Sequence, residues 1–168
     1  PVMSYNVIAK GAGGGVIITA SHNSQQWNGF KFKPAYGSSA TQDIIDDLER
    51  HIEDAEASEG LARIPVYQAE REGLVERFDP APPYLKHIRK LVDMDSIQQA
   101  GLKVSVDSMH GAGAGYLTTL LSGDSTTVTE IRGEPNPAFP GMSQPEPLLH
   151  NLASLIPSIP ETSADIGL

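Results

Sequence analysis

The amino-acid sequence predicts an α/β protein with two mixed or mostly parallel sheet layers and flanking helices. Three observations lead there. The apolar runs at residues 16–20 (VIITA) and 102–106 (LKVSV) are short and bounded by glycines or polar clusters, as buried strands are. Segments with helical apolar spacing lie between them. In the second half the order is strand, helix, strand, helix, strand, which implies a parallel sheet with right-handed crossovers.

Residues 1–10 begin on proline, a favoured first helical residue, and stop at Gly11, so they read as the end of a helix. Residues 16–20 form a continuous apolar strand expected to be buried on both faces. Residues 21–39 are loop-like, with Phe30 and Phe32 alternating with Lys31 and Lys33 in a short strand. Ile44, Ile45, Leu48 and Ile52 have helical spacing after Ala40 or Thr41 at the N-cap, and Gly60 ends that helix. Residues 61–79 are mixed and proline-punctuated. Pro80, Pro82 and Pro83 precede a second helical pattern at Leu85, Ile88, Leu91 and Val92. The junction falls near residues 76–82, which gives two units, 1–78 and 79–168. In the second, strands are expected at 102–106, 127–131 and 164–168. Helices are expected at 114–121 and 148–156, and a long Pro- and Gly-rich loop at 133–147.

Length and charge narrow the classes. A chain of 168 residues holds one domain or two small ones. Twelve Lys and Arg against 21 Asp and Glu leave a net charge of -9, a field that repels nucleic acid and anionic membranes. Neither is an expected partner, and an anionic substrate needs local cations, a metal or helix N-termini. There is no cysteine, so disulfides and thiolate metal sites are excluded. No apolar run approaches the ~20 residues that span a bilayer, and a cytoplasmic location is the expectation. The chain opens on Pro1 rather than Met, so the gene product is expected to start earlier.

The candidate site is the loop after the first strand. Ser21, His22 and Asn23 place a hydroxyl, an imidazole and an amide where the chain leaves residues 16–20. Ligands of doubly wound sheets bind beyond the carboxyl ends of strands. A serine hydroxyl is a weak nucleophile and needs a base, a metal or cations. Lys31 and Lys33 can return over the loop if Asn28-Gly29 makes the turn, with glycine accepting positive φ. Polar loop filler explains the same residues, so on composition alone both readings stay open. A G-x-S-x-G elbow is absent, which weakens a hydrolase.

Thr19-Ala20-Ser21-His22-Asn23, followed by Asn28-Gly29 and Lys31, resembles the active-site loop of the α-D-phosphohexomutases. These are the phosphoglucomutases, phosphomannomutases and phosphoglucosamine mutases. Residues 104–113 (VSVDSMHGAG) are similar to the opening strand and turn of that family's second domain. Phe139-Pro140-Gly141 and Pro145-Glu146-Pro147 resemble its inter-strand loop, and residues 164–168 the strand leading to its metal loop. The resemblance implies part of domain I with the phosphoserine loop (1–78) and most of domain II (79–168). It also implies a hexose phosphate substrate of glucose or mannose type. A phosphoserine at Ser21 exchanges phosphate with the sugar through a hexose 1,6-bisphosphate. Mg2+ is implied as cofactor, bound by the Ser21 phosphate and by carboxylates expected beyond Leu168. His22 and Lys31 are implied as catalytic, with Asn23 and Lys31 touching substrate or phosphate. Ser24 stands where the family usually has proline. Without the other domains the isolated chain is expected to be inactive. The sheet edge near Leu168 is expected to be unpaired, which makes a homodimer contact there an expectation.

Two alternatives remain. Gly111-Ala112-Gly113-Ala114-Gly115 imitates a dinucleotide fingerprint with Glu130 as ribose ligand, but the spacing is G-x-G-x-G and helix–strand packing explains it as well. A non-catalytic α/β binding module is the other. The remaining features read as structural. Asp107 anchors the glycine turn, His110 belongs to that turn, and the acidic run from Asp46 to Glu56 is a solvated helix face.

Overall fold

A computed structural model describes residues 1–58 and 61–168; Gly60, expected to end a helix, lies outside the described residues. The chain divides into two compact units. One comprises Pro1–Val16 and Phe32–Pro80, the other Ile17–Lys31 and Ala81–Leu168. The last boundary falls between Pro80 and Ala81, and the serine-loop segment is grouped with the second unit.

The first unit begins with α1 (Val2–Ala9). Val7 and Asn6 are its buried residues. Asn6 offsets the cost of burying an amide by donating to Val2 O (2.9 Å) and Pro80 O (3.1 Å). Strands β1 (Gly14–Thr19) and β2 (Gly29–Pro34) pair in a two-stranded sheet, and the division between units falls inside both. A Cβ at Gly15 would collide with Met3 Sδ, so α1 sits as close to β1 as glycine allows.

The expectation that residues 16–20 are buried on both faces is wrong. Val16 is 51% exposed and Ile18 66%. Their alternation with half-buried neighbours shows one covered face, and α1 packs closely at Gly15. Helix α2 (Gln42–Ala57) lies where its apolar spacing predicts, with Thr41 at the N-cap, although the Thr41 side chain makes no capping bond. No α2 residue is buried, and its charges pair with one another, Arg50 with Asp47 and with Asp54 (3.9 Å), as a solvated face does. A short α3 (Val66–Arg71) follows; its proline-flanked sequence is too brief for periodicity to reveal.

The second unit carries the parallel sheet. Helix α4 (Ala81–Leu91) takes Pro82 and Pro83 in its first turn, where no N–H is needed. Helix α5 (Met94–Gln99), which the sequence pattern does not announce, starts at Asp93, whose carboxylate accepts from Ser96 N (3.1 Å). Strands β3 (Lys103–Asp107) and β4 (Thr127–Ile131) and the short β5 (Ile166–Gly167) give the order β4-β3-β5. Both pairings are parallel, with Asp107 opposite Ile131 and Val104 opposite Ile166. Central β3 is buried on both sides. Ser105 bonds Ser158 (Oγ to Oγ, 2.6 Å) on α7 (Leu155–Thr162), so Val104 and Val106 face the other way. Burying each such valine contributes about 1.5–3 kcal/mol, against about 1 kcal/mol for the serine bond, so apolar packing dominates.

Helix α6 (Tyr116–Leu121) starts two residues later than expected, because Gly115 adopts φ +79° just before it. The helix expected at 148–156 begins instead as a 3-10 turn (Asn151–Ala153) and becomes α7 only at Leu155, displaced past the proline-rich loop. No helix among the described residues is long and apolar enough to cross a membrane.

Candidate active site

Strand β1 ends at Thr19, and the chain then folds on itself in tight turns. Ser21 sits at φ +57°, a left-handed conformation rare outside glycine that costs roughly 1–3 kcal/mol and clusters at functional sites. Local bonds hold it. Ser21 N–H donates to Thr19 Oγ1 (2.9 Å), while Asn23 donates to Ala20 O from its backbone N–H and from Nδ2 (both 3.0 Å). Trp27 N–H donates to Ser24 O (3.1 Å). The return is made at Gly29, for a different reason than expected. Gly29 is not among the residues with positive φ; instead a Cβ there would lie 2.7 Å from Thr19 O. The close approach of the two ends of the loop requires glycine.

The turn brings Ser21 and His22 together. His22 Nδ1 lies 3.3 Å from Ser21 Oγ, and both groups are exposed. On the other side of the ring, His22 Nε2 lies 3.5 Å from Glu146 Oε1. Asn23 spends an amide hydrogen on the turn, and its Oδ1 takes no part in that bond. Lys31 lies exposed in β2, and among the described residues no hydrogen bond or ion pair joins it to Ser21 or His22. Lys33 donates to Ser39 Oγ (3.2 Å).

Glu146 carries no site signal of its own in the sequence, and what holds it begins at the carboxyl end of the parallel sheet. Asp107 closes β3 with its carboxylate fully buried (0% exposed). Arg132, just after β4, meets it with two prongs, Nε to Oδ1 (2.8 Å) and Nη2 to Oδ2. Asp107 Oδ1 also accepts from Met109 N (3.0 Å), the anchoring role expected for it. Arg132 Nη2 goes on to Asn151 O (2.7 Å). Asn151, itself buried, donates from Nδ2 to Gln144 O and Glu146 O (both 2.8 Å). A continuous set of charge-assisted and amide bonds thus runs from the β3 terminus to the backbone of Glu146. Met109, His110, Arg132 and Phe139 all have positive φ, so backbone strain gathers in the loops after β3 and β4. His110 Nδ1 is 3.0 Å from Glu134 O, a loop-fastening contact.

The dinucleotide alternative meets a direct obstacle. Glu130 accepts from Gly115 N (2.8 Å), Ser108 Oγ (2.5 Å) and Thr118 Oγ1 (2.5 Å). Its carboxylate folds back onto the glycine turn and fastens it to α6 and β4, so it is not presented to a ribose. Burial raises its pKa, and those three bonds together outweigh that and lower it below the usual carboxylate range.

Among the described residues there is no group of three or more His, Cys, Asp or Glu placed to hold a metal ion. These side chains alone therefore do not fit the magnesium that the sequence resemblance implies.

Comparison with known proteins reaches almost the whole chain. Residues 82–168 match the family model described as phosphoglucomutase/phosphomannomutase, alpha/beta/alpha domain II, and residues 1–59 match that of alpha/beta/alpha domain I. A phosphoglucomutase of Komagataeibacter xylinus is 29% identical over 147 residues, 83% of this chain and 26% of its own length. A phosphoglucomutase/phosphomannomutase of Thermococcus kodakarensis is 30% identical over 168 residues, 100% of this chain and 35% of its own length. A solved structure from Thermus thermophilus, described as a phosphomannomutase, superposes with a TM-score of 0.77 at 30% identity, covering 95% of this chain and 34% of that one. The chain thus spans about a third of the length of the curated relatives it matches.

Proposed function

The chain belongs to the phosphoglucomutase/phosphomannomutase family, and from that premise we propose that Ser21 is the phosphoryl carrier of a hexose phosphate mutase. The observation that carries the proposal is the placement of Ser21. A serine in a left-handed turn at the carboxyl end of β1, with Oγ exposed and an imidazole nitrogen 3.3 Å away, is built to exchange a group with a ligand.

In the proposed cycle the phosphoserine Oγ–P bond breaks as a bond from phosphorus to a free hydroxyl oxygen of the hexose monophosphate forms. The bisphosphorylated sugar turns over. Its other phosphoryl group then returns to Ser21 Oγ, the sugar O–P bond breaking as Oγ–P reforms. Phosphate has then moved between C1 and C6. The proton given up by the sugar hydroxyl in the first transfer comes to Ser21 Oγ as it leaves, and in the second it returns from Oγ to the sugar oxygen that loses its phosphoryl group. His22 Nδ1, 3.3 Å from Oγ, is proposed to carry it at the serine end. Charge in such transfers spreads over the phosphoryl oxygens, so positioning and cations carry most of the catalysis. Lys31, an exposed cation on the strand that closes the loop, is proposed to supply one, and Asn23 Oδ1 a polar contact to sugar or phosphate. Magnesium is proposed for the whole protein; because the described residues do not form its site, no step is derived through it. The substrate is proposed as glucose or mannose phosphate, the sugars in the relatives' names.

The test is Ser21→Ala in the full-length gene product, with intact mass of the unmutated protein before and after phosphatase. Expected are turnover at the level of the blank and the loss of one phosphate group. Wild-type turnover by Ser21→Ala would remove the proposal.

A further inference from the structure

We propose that Glu146 is a positioning residue that acts through His22 on Ser21. The inference rests on the phosphoserine reading of Ser21, and it concerns a residue with no contact to the reacting oxygen.

Three observations carry it. First, the imidazole is addressed from both sides, Nδ1 by Ser21 Oγ at 3.3 Å and Nε2 by Glu146 Oε1 at 3.5 Å. A carboxylate accepts and does not donate, so Glu146 holds the ring hydrogen on Nε2 and leaves the Nδ1 lone pair facing the serine hydroxyl. The Nε2 to Oε1 distance closes to a hydrogen bond with a movement of about half an ångström. Without such a partner, a histidine ring as exposed as this one rotates freely about its side-chain bonds.

Second, Glu146 is itself held still. Pro145 and Pro147 flank it, so its own backbone is restricted to extended conformations. Its carbonyl accepts from Asn151 Nδ2 and from Leu148 N (both 2.8 Å), and its N–H donates to Gln144 O (2.9 Å). Through Asn151 and Arg132 the backbone of this loop is fastened to the buried carboxylate of Asp107. Third, no other ion pair is formed by the Glu146 carboxylate among the described residues. It is spent on the histidine.

The function of the arrangement is orientation. A ring fixed with Nδ1 toward Oγ is ready to take the serine proton as phosphoryl returns, and the geometry need not be searched for in each turnover.

A mutant cycle in the full-length gene product tests this, using Glu146→Met, which keeps the length and removes the acceptor, Glu146→Gln, which keeps an acceptor oxygen, His22→Ala, and His22→Ala combined with Glu146→Met. Glu146→Met is expected to lower kcat about 10-fold with KM for the hexose phosphate unchanged. Glu146→Gln is expected to recover most of that loss. In the His22→Ala background, Glu146→Met is expected to have no further effect, since it acts through the missing ring. Losses that multiply in the double variant overturn the inference, as does Glu146→Gln no better than Glu146→Met. Glu146→Ala serves in the same cycle if the methionine disturbs folding. Ser21→Ala is measured beside them. Wild-type turnover there defeats the phosphoserine reading itself, whereas an inactive Ser21→Ala with multiplying losses at His22 and Glu146 defeats only the role of Glu146.

Discussion

Replacing Arg132 with alanine is expected to cost this chain about 3–5 kcal/mol of stability, the range for removing one partner of a buried ion pair. The magnitude follows from what the guanidinium leaves behind. Asp107 is 0% exposed at its side chain, and after the substitution the one remaining hydrogen-bond partner of its carboxylate among the described residues is the N–H of Met109. A carboxylate that water cannot reach and no cation faces is far more costly than a lost surface contact. Asn151 O also loses a donor, and Met142 Sδ loses its contact with Nη1 (3.3 Å). Arg77 and Glu70 provide the contrast. They are also close (2.5 Å), but their side chains are 78% and 37% exposed, and a pair in that setting contributes at most about 1 kcal/mol.

The assay is urea unfolding of the chain followed by far-UV circular dichroism, with midpoints compared at unchanged slope. Two further variants check the cause. Arg132 sits at φ +48°, where any Cβ is strained, so Arg132→Gly is expected to lose roughly 1 kcal/mol less than Arg132→Ala. Asp107→Asn keeps an acceptor oxygen for Met109 N and leaves a cation that is itself partly exposed, so it is expected to fall below Arg132→Ala in cost. A shift for Arg132→Ala no larger than that for Arg77→Ala would refute the reasoning, because it would mean that the Asp107 carboxylate is not held by its partner.

Two predictions are briefer. Glu130 has a pKa lowered in the folded chain despite the opposing effect of burial, because Gly115, Ser108 and Thr118 bond its carboxylate form. Its contribution is therefore present above the ordinary carboxyl pKa of 4.5 and lost as pH falls through the lower folded value. Urea midpoints followed from about pH 6 down to about pH 3 are expected to fall more steeply for the wild type than for Glu130→Gln, and parallel curves would count against it. Magnesium is tested by chelation: excess chelator is expected to abolish turnover of the full-length gene product and added magnesium to restore it. Turnover untouched by chelator would remove the ion.

The alternation of elements was legible because each strand of the parallel sheet carries its own signal. The strand at 127–131 is readable to the residue, since β-branched Thr and Val lie between a polar cluster and an arginine. What failed, failed for want of tertiary information. Val16 and Ile18 look like buried-strand residues, yet whether a second face is covered depends on neighbours that a local pattern does not encode. Residues 148–150 are apolar enough for a helix, but the backbone N–H groups of Leu148 and of Asn151 just after them are engaged differently. Leu148 N–H is turned to Glu146 O, and Asn151 N–H closes back on Leu148 O. The loop wins over propensity because its carbonyls at Gln144 and Glu146 accept from Nδ2 of the buried Asn151.

The site divides along the same line. Ser21, His22 and Asn23 are adjacent in sequence and at the end of an apolar run, so order alone exposed them. Glu146 lies far along the chain inside a proline-rich loop, where its neighbours in sequence give a stiff backbone and a likeness to an inter-strand loop but no link to the serine. Its meaning comes from the ring opposite. A carboxylate on Nε2 turns a histidine that merely follows the serine into one that faces it. The buried pair of Asp107 and Arg132 has a related significance. The fold places a costly charge under the strained loops after β3 and β4, and the same guanidinium continues to Asn151 and so to the Glu146 backbone. Stability at the end of the sheet and orientation at the serine are therefore connected by bonds rather than by proximity in sequence. A substitution that loosens the first should be felt at the second.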